Sequence, residues 1–141
     1  MKEYLEEIEQ LIAKKVINID EVKQTYKNFI KNKLKGQHCV DNFIGDYPTF
    51  IEPVYLGENV KIGDDVLIGP NVYIGNYCEI GDYGEIINTI LFDNVALGEN
   101  FKLENCIIAK NSKFSFNNLN AFSCIIIGKA KKKENLKIIS F

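Results

Sequence analysis

The sequence predicts a mainly β fold in which most of the chain winds into a coil of stacked parallel turns, entered through two helices. Three observations carry this. From Phe50 onward a large apolar residue returns every six positions, usually with glycine straight after it: Leu56-Gly57, Ile62-Gly63, Ile68-Gly69, Ile74-Gly75, Ile80-Gly81 and Leu97-Gly98. Taken three hexads at a time, these anchors fall into columns of Ile, Leu and Phe. Residues ahead of Phe50 lack that period and show helical spacing instead. A fixed short repeat outranks local propensity, because each unit buries its apolar face only by stacking on the next.

The chain divides into an α-helical hairpin over residues 1–36, a connector over 37–49, the coil over 50–128, and a basic turn with a terminal strand over 129–141. In the first helix Leu5, Ile8, Leu11 and Ile12 form an amphipathic stripe. Asp20 reads as the cap of a second helix, Val22, Tyr26, Phe29, Ile30 and Leu34 as its apolar face, and Gly36 as its stop. The short link Val16-Ile17-Asn18 makes the pair a hairpin. Lys23, Lys27, Lys31, Lys33 and Lys35 give the second helix a cationic face, either solvated or a docking surface for an acidic partner or ligand. The connector holds the single histidine, His38, with Gly45 and Pro48 as turn formers.

The coil anchors run Phe50, Leu56, Ile62, Ile68, Ile74, Ile80 and Ile86, then, with two five-residue steps, Leu91, Leu97, Leu103, Ile108 and Phe114. One side stacks Phe50, Ile68, Ile86 and Leu103. The next stacks Leu56, Ile74, Leu91, Ile108 and Ile126, and the third Ile62, Ile80, Leu97 and Phe114. Four residues after the anchor a small inward residue is expected, as at Val54, Val60, Val66, Val72, Cys78, Gly84, Val95 and Ser112, where a corner leaves less room. Asparagine recurs beside these positions at Asn59, Asn71, Asn94, Asn100, Asn111 and Asn117. It tolerates the left-handed backbone that a tight corner needs. A second repeat overlies the first: Asn88-Thr89-Ile90-Leu91, Asn105-Cys106-Ile107-Ile108 and Ser123-Cys124-Ile125-Ile126. Its steps of 17 and 18 residues put Thr89, Cys106 and Cys124 in one vertical stack.

After Phe114 the pattern decays, and Leu136–Phe141 alternates like a final strand. The lysines at 129 and 131–133 read as a solvated end that protects the open coil, or alternatively as a phosphate-binding cluster.

Composition narrows the function classes. Lys+Arg of 17 against Asp+Glu of 19 gives a net charge of −2, unlike the basic balance of a nucleic-acid binder. No apolar run approaches a membrane span, and the polar start lacks the apolar stretch of an export signal, so the chain is expected to be cytoplasmic. Cys39, Cys78, Cys106 and Cys124 form no C-x-x-C pair and read as buried apolar residues, not as metal ligands.

The Ile-Gly-x-x-Val-x hexad resembles the signature of the left-handed parallel β-helix, and the expected fold is such a helix of about five coils behind the α-helical hairpin. The handedness comes from this resemblance, not from the hexads themselves. The stretches Pro53–Gly63, Gly69–Gly75 and Ile87-Asn-Thr-Ile-Leu-Phe-Asp-Asn-Val95 with Leu97-Gly98 are more specific. They resemble the C-terminal domain of sugar-1-phosphate nucleotidylyltransferases of the glucose-1-phosphate thymidylyltransferase and mannose-1-phosphate guanylyltransferase type, over about Phe50 to Gly128. In that family the nucleotide-transferring chemistry resides in a preceding domain with a glycine-rich phosphate loop, which residues 1–49 do not resemble. The resemblance implies side-by-side packing of coils, hence a homo-oligomer, a trimer by analogy.

Catalysis has weak anchors. Hexapeptide-repeat acyltransferases typically use a histidine base with acyl-CoA, and the coil holds no histidine, so His38 is the candidate base of that alternative. Asp93 would serve only if desolvated, and Glu58, Asp64, Asp65, Asp82 and Glu99 sit at comparable corners. Tyr73, Tyr77, Tyr83 and Phe92 fall at outward or corner positions and are read as a contact surface for other subunits or for the hairpin. The favoured function is a non-catalytic oligomerisation or regulatory module of the nucleotidyltransferase type, with no cofactor and no metal. The alternatives are an acyltransferase using acetyl-CoA and a scaffold that binds a protein partner through the lysine-rich helix.

Overall fold

The computed structural model describes residues 1–34, 43–46 and 48–141, and residues 38–39 as backbone. Helix α1 spans Lys2–Ile12 and buries Leu5, Ile8, Leu11 and Ile12, the stripe expected from the sequence. Helix α2 spans Ile19–Asn28. Its cap is Asn18, not Asp20: the Asn18 backbone is extended, and its side chain accepts the Glu21 N–H at 3.2 Å. Asp20 instead lies in the first turn, where a carboxylate faces the positive end of the helix. Past Asn28 the helix widens into a π-turn, Phe29–Lys33, closed by the Leu34 N–H donating to the Phe29 carbonyl at 3.0 Å. The wider turn puts Phe29 and Leu34, five residues apart, on one buried face. The expected stop at Gly36 lies outside the described residues.

The rest is a parallel solenoid of about five turns with three walls. Wall I stacks Phe50, Ile68, Ile86, Leu103 and Ala121 through parallel pairing. Wall II stacks Leu56, Ile74, Leu91, Ile108 and Ile126. Wall III pairs Ile62 with Ile80 and Phe114 with Ala130, with Leu97 carried between them by single bridges at Ala96. Ile68, Ile74, Ile86, Leu91 and Ile108 are wholly buried in one continuous core. Each such side chain contributes on the order of 1.5–3 kcal/mol by leaving water.

Winding begins ahead of Phe50. Within the expected connector, His38–Cys39 pairs with Val54–Leu56 on wall II, Phe43–Ile44 with Val60–Ile62 on wall III, and Thr49–Phe50 with Leu67–Ile68 on wall I. These residues are an irregular first turn. Phe43 and Phe50, rings 5.4 Å apart, pack against this end of the core.

Among the described residues twelve non-glycine positions take positive φ, and they are the corners. One corner stacks Asn59, Tyr77, Asn94 and Asn111, the next Asp65, Tyr83, Asn100 and Asn118, and the third Asn71, Asn88, Asn105 and Ser123. Five of the six expected asparagines are among them. Asn117 is displaced by one position: Asn118 takes the corner, and the Asn117 side chain accepts the Glu99 N–H of the preceding turn at 2.9 Å. Asn76, Asp82 and Asp93 make the same bond, to Glu58 N, Asp64 N and Asn76 N at 2.9, 2.8 and 2.8 Å. This explains the hexad glycine. A Cβ on Gly57 or Gly75 would collide with the capping oxygen of Asn76 or Asp93, so each capping side chain requires the glycine below it.

The eight small residues expected at the corners are all buried, and Phe101 is a large residue at the same hexad position. It sits in register with Gly84 below and Leu119 above, and is fully buried. Its ring stacks with Phe114 at 6.0 Å and meets Phe116 at 5.4 Å.

The alternating tail forms the strand Lys137–Ser140, which pairs antiparallel with Leu119–Ile127 and covers the edge that the last turn of wall II would leave open. Leu136 packs against the end of the core.

Candidate functional site

Wall II is two-faced. Its inward column fills the solenoid. Its outward column, in register, is Tyr55, Tyr73, Ile90, Ile107, Ile125 and Ile139. The hairpin lies on this outward face and forms a second apolar core with it, including Ile8, Val22, Tyr26 and Phe29. Tyr55 and Tyr73 stack at 5.1 Å, and Phe29 meets Tyr73 edge-on at 6.0 Å. Burial pushes the Tyr73 phenol well above its ordinary value. Glu9, its carboxyl raised by burial, is held 3.8 Å from Lys110 and ties α1 to the solenoid.

The aromatic residues expected as a contact surface therefore separate. Phe92 is buried under the hairpin and Tyr73 is half-buried there. Tyr77 and Tyr83, at two different corners, stay 58% and 56% exposed. Exposed apolar residues continue on wall I, where Ile51 is 46% and Phe122 61% exposed.

The candidate base His38 is in backbone register with Val54; its side chain lies outside the described residues. Asp93 is committed to its cap on Asn76. Among the described residues no cluster of His, Cys, Asp and Glu is arranged to hold a metal. Cys78, Cys106 and Cys124 are buried and reduced, with Cys106 and Cys124 sulfurs 3.8 Å apart in the stack above Thr89, whose Oγ1 accepts the Cys106 N–H at 3.4 Å. Burial pushes the Cys78 thiol up to about 11. The hydrogen bond to Cys124, with burial, holds the Cys106 thiol protonated. Thiols in that state are poor nucleophiles.

Where the hairpin crosses the corner between walls I and II there is a cleft of about 440 Å³. Helix α2 contributes Lys23 and Lys27, the π-turn Lys31, and the corner Asn88, Asn105 and Ser123. Tyr26 and Phe141, rings 5.5 Å apart, close one end. The Tyr26 hydroxyl donates to the Asn88 carbonyl and lies 3.3 Å from Asn105 Oδ1. Its phenol is held well above its ordinary value by burial. Sequence reasoning noted these lysines and the Asn, Asn, Ser starts of the second repeat separately. It did not bring them together, and it did not single out the outward apolar column. The signal was there: the third residue of that repeat is isoleucine every time, although its neighbours already fill the interior.

Residues 50–138 match the family model described as the GMPPB C-terminal domain. The chain belongs to that family. Its solenoid is thus a left-handed β-helix of the hexapeptide-repeat kind, resembling the C-terminal domain of sugar-1-phosphate nucleotidylyltransferases. No curated protein matches the chain. Similar solved structures include a maltose O-acetyltransferase from Clostridium difficile 630, at 12% identity and TM-score 0.37 over 98% of this chain and 84% of that one. A point mutant of AntD, an N-acyltransferase from Bacillus cereus, in complex with dTDP and coenzyme A, is 16% identical with a TM-score of 0.29, over 78% of this chain and 88% of that one. The hexapeptide-repeat acetyltransferase VCA0836 from Vibrio cholerae is 11% identical with a TM-score of 0.30, over 89% and 93%. No described helix is long and apolar enough to cross a membrane.

Proposed function

We propose that this chain is a non-catalytic module that assembles copies of itself side by side, as a trimer, in the manner of a nucleotidyltransferase C-terminal domain. One observation carries the reading. The hairpin covers the outward apolar residues of wall II, while Ile51 and Phe122 on wall I and Tyr83 at its corner remain exposed. Apolar residues left exposed on one wall suit a subunit contact. Asp93 caps a turn, and the Cys78 and Cys106 thiols are buried and held protonated, which supports the non-catalytic reading.

Light scattering tests this. The wild type should run at about three times the 16.1 kDa protomer mass, and Phe122→Asp with Tyr83→Asp should run as a monomer with unchanged circular dichroism. The runner-up, an acyltransferase with His38 as base, requires release of free CoA from acetyl-CoA. A monomeric wild type, together with CoA release abolished by His38→Ala, would replace the assembly reading.

A further inference from the structure

We infer that the cleft between α2 and the corner of walls I and II is a binding site for a small phosphate-bearing molecule with an attached flat ring. Four features of the cleft point there. Its volume, about 440 Å³, is in the range of small-ligand pockets and too small for a folded partner. Its cationic side presents Lys23, Lys27 and Lys31 with no Asp or Glu side chain in the lining, in a chain whose net charge is −2. None of the three forms an ion pair with a described residue; the described ion pairs join Glu9, Glu6, Glu79 and Glu85 to Lys110, Lys2, Lys61 and Lys102.

The polar side has donors to spare. Asn88 Oδ1 accepts from Asn71 Nδ2 at 2.9 Å, which leaves the Asn88 amide N–H groups without a described partner. Asn105 Oδ1 lies within reach of the Tyr26 hydroxyl, so its amide nitrogen is left likewise. The other two corners continue their asparagine ladders, Asn94 to Asn111 at 3.0 Å and Asn100 to Asn118 at 2.7 Å. At this corner the ladder stops at Asn88, because Tyr26 is inserted across the next rung. Two amides and the Ser123 hydroxyl then face three lysines across one opening. That is donor-rich chemistry suited to phosphate oxygens. The fourth feature is the end wall: Phe141 and Ile30 offer an apolar surface on which a planar ring stacks.

Isothermal titration of the full chain with ADP and with pyrophosphate, at low and high salt, tests this. ADP should bind more tightly than pyrophosphate, and both more weakly as salt rises. Lys23→Gln with Lys27→Gln and Lys31→Gln should weaken both at least tenfold, while Lys131→Gln with Lys132→Gln and Lys133→Gln, in the exposed tail turn, should leave both unchanged. Phe141→Ala should remove the preference for ADP while keeping pyrophosphate binding, with the fold checked by circular dichroism. If neither probe binds, if the tail variant loses as much as the helix variant, or if an acidic peptide binds while ADP does not, the assignment is wrong.

Discussion

The solenoid and the hairpin are held by different physics. In the solenoid every turn hydrogen-bonds to the next and buries its anchors in a shared interior, so each column depends on its vertical neighbours. The hairpin shares no strand pairing with it. Among the described residues it is held by an apolar face, the Tyr26 hydroxyl and the partly exposed Glu9–Lys110 pair. Exposed pairs contribute little, so docking rests on the side chains of wall II. The lesson is that a repeat is a strong constraint where identical turns must stack, and says least where the chain meets something that is not a repeat.

Charge inside the solenoid should break it most severely. Ile86→Asp puts an unpaired carboxylate into a wholly buried column, and a loss of more than about 4 kcal/mol is expected. Circular dichroism should show no cooperative β transition. Phe101→Ala comes next. Its ring is fully buried against Phe114 and Phe116, so chemical denaturation should register a loss of about 3–5 kcal/mol. Ile107→Ala empties the second core instead; about 2–5 kcal/mol of docking should be lost, with the solenoid melting unchanged.

Alkali sharpens the contrast. The Tyr26 and Tyr73 phenols are raised above their ordinary value of 10.0 by burial. The native state keeps protons that the unfolded chain gives up, so their contribution is full below about pH 10 and is lost as pH climbs beyond it. Thermal melts from about pH 9 to about pH 11 should fall steeply for wild type and less so for Tyr26→Phe with Tyr73→Phe. The smallest effect belongs to the corners. Asn100→Ala at φ 57° should cost about 1 kcal/mol in denaturant melts.

This division also sets what the sequence made legible. Anchors at six-residue spacing specified the three columns, because vertical stacking admits one register. The corner asparagines were readable because few residues accept left-handed backbone. Phe101 and the shift to Asn118 were not, since each depends on chain beyond its own hexad, the Phe114 and Phe116 rings or the lengthened turn after Phe114. The first-turn pairings of His38–Cys39, Phe43–Ile44 and Thr49–Phe50 were hidden because they are made by backbone without carrying the hexad. The cleft was hidden for a further reason. Tyr26, between its lysines, lies 62 and 79 residues in sequence from Asn88 and Asn105, and only docking of the hairpin brings them together.

Native-state hydrogen exchange, read by mass spectrometry on wild type and Ile107→Asp, tests the two-region account most directly. The account predicts that residues 1–34 lose protection in the variant while the strands of walls I and III between 60 and 130 keep theirs. Loss of protection throughout both regions at once would show a single cooperative unit and contradict it.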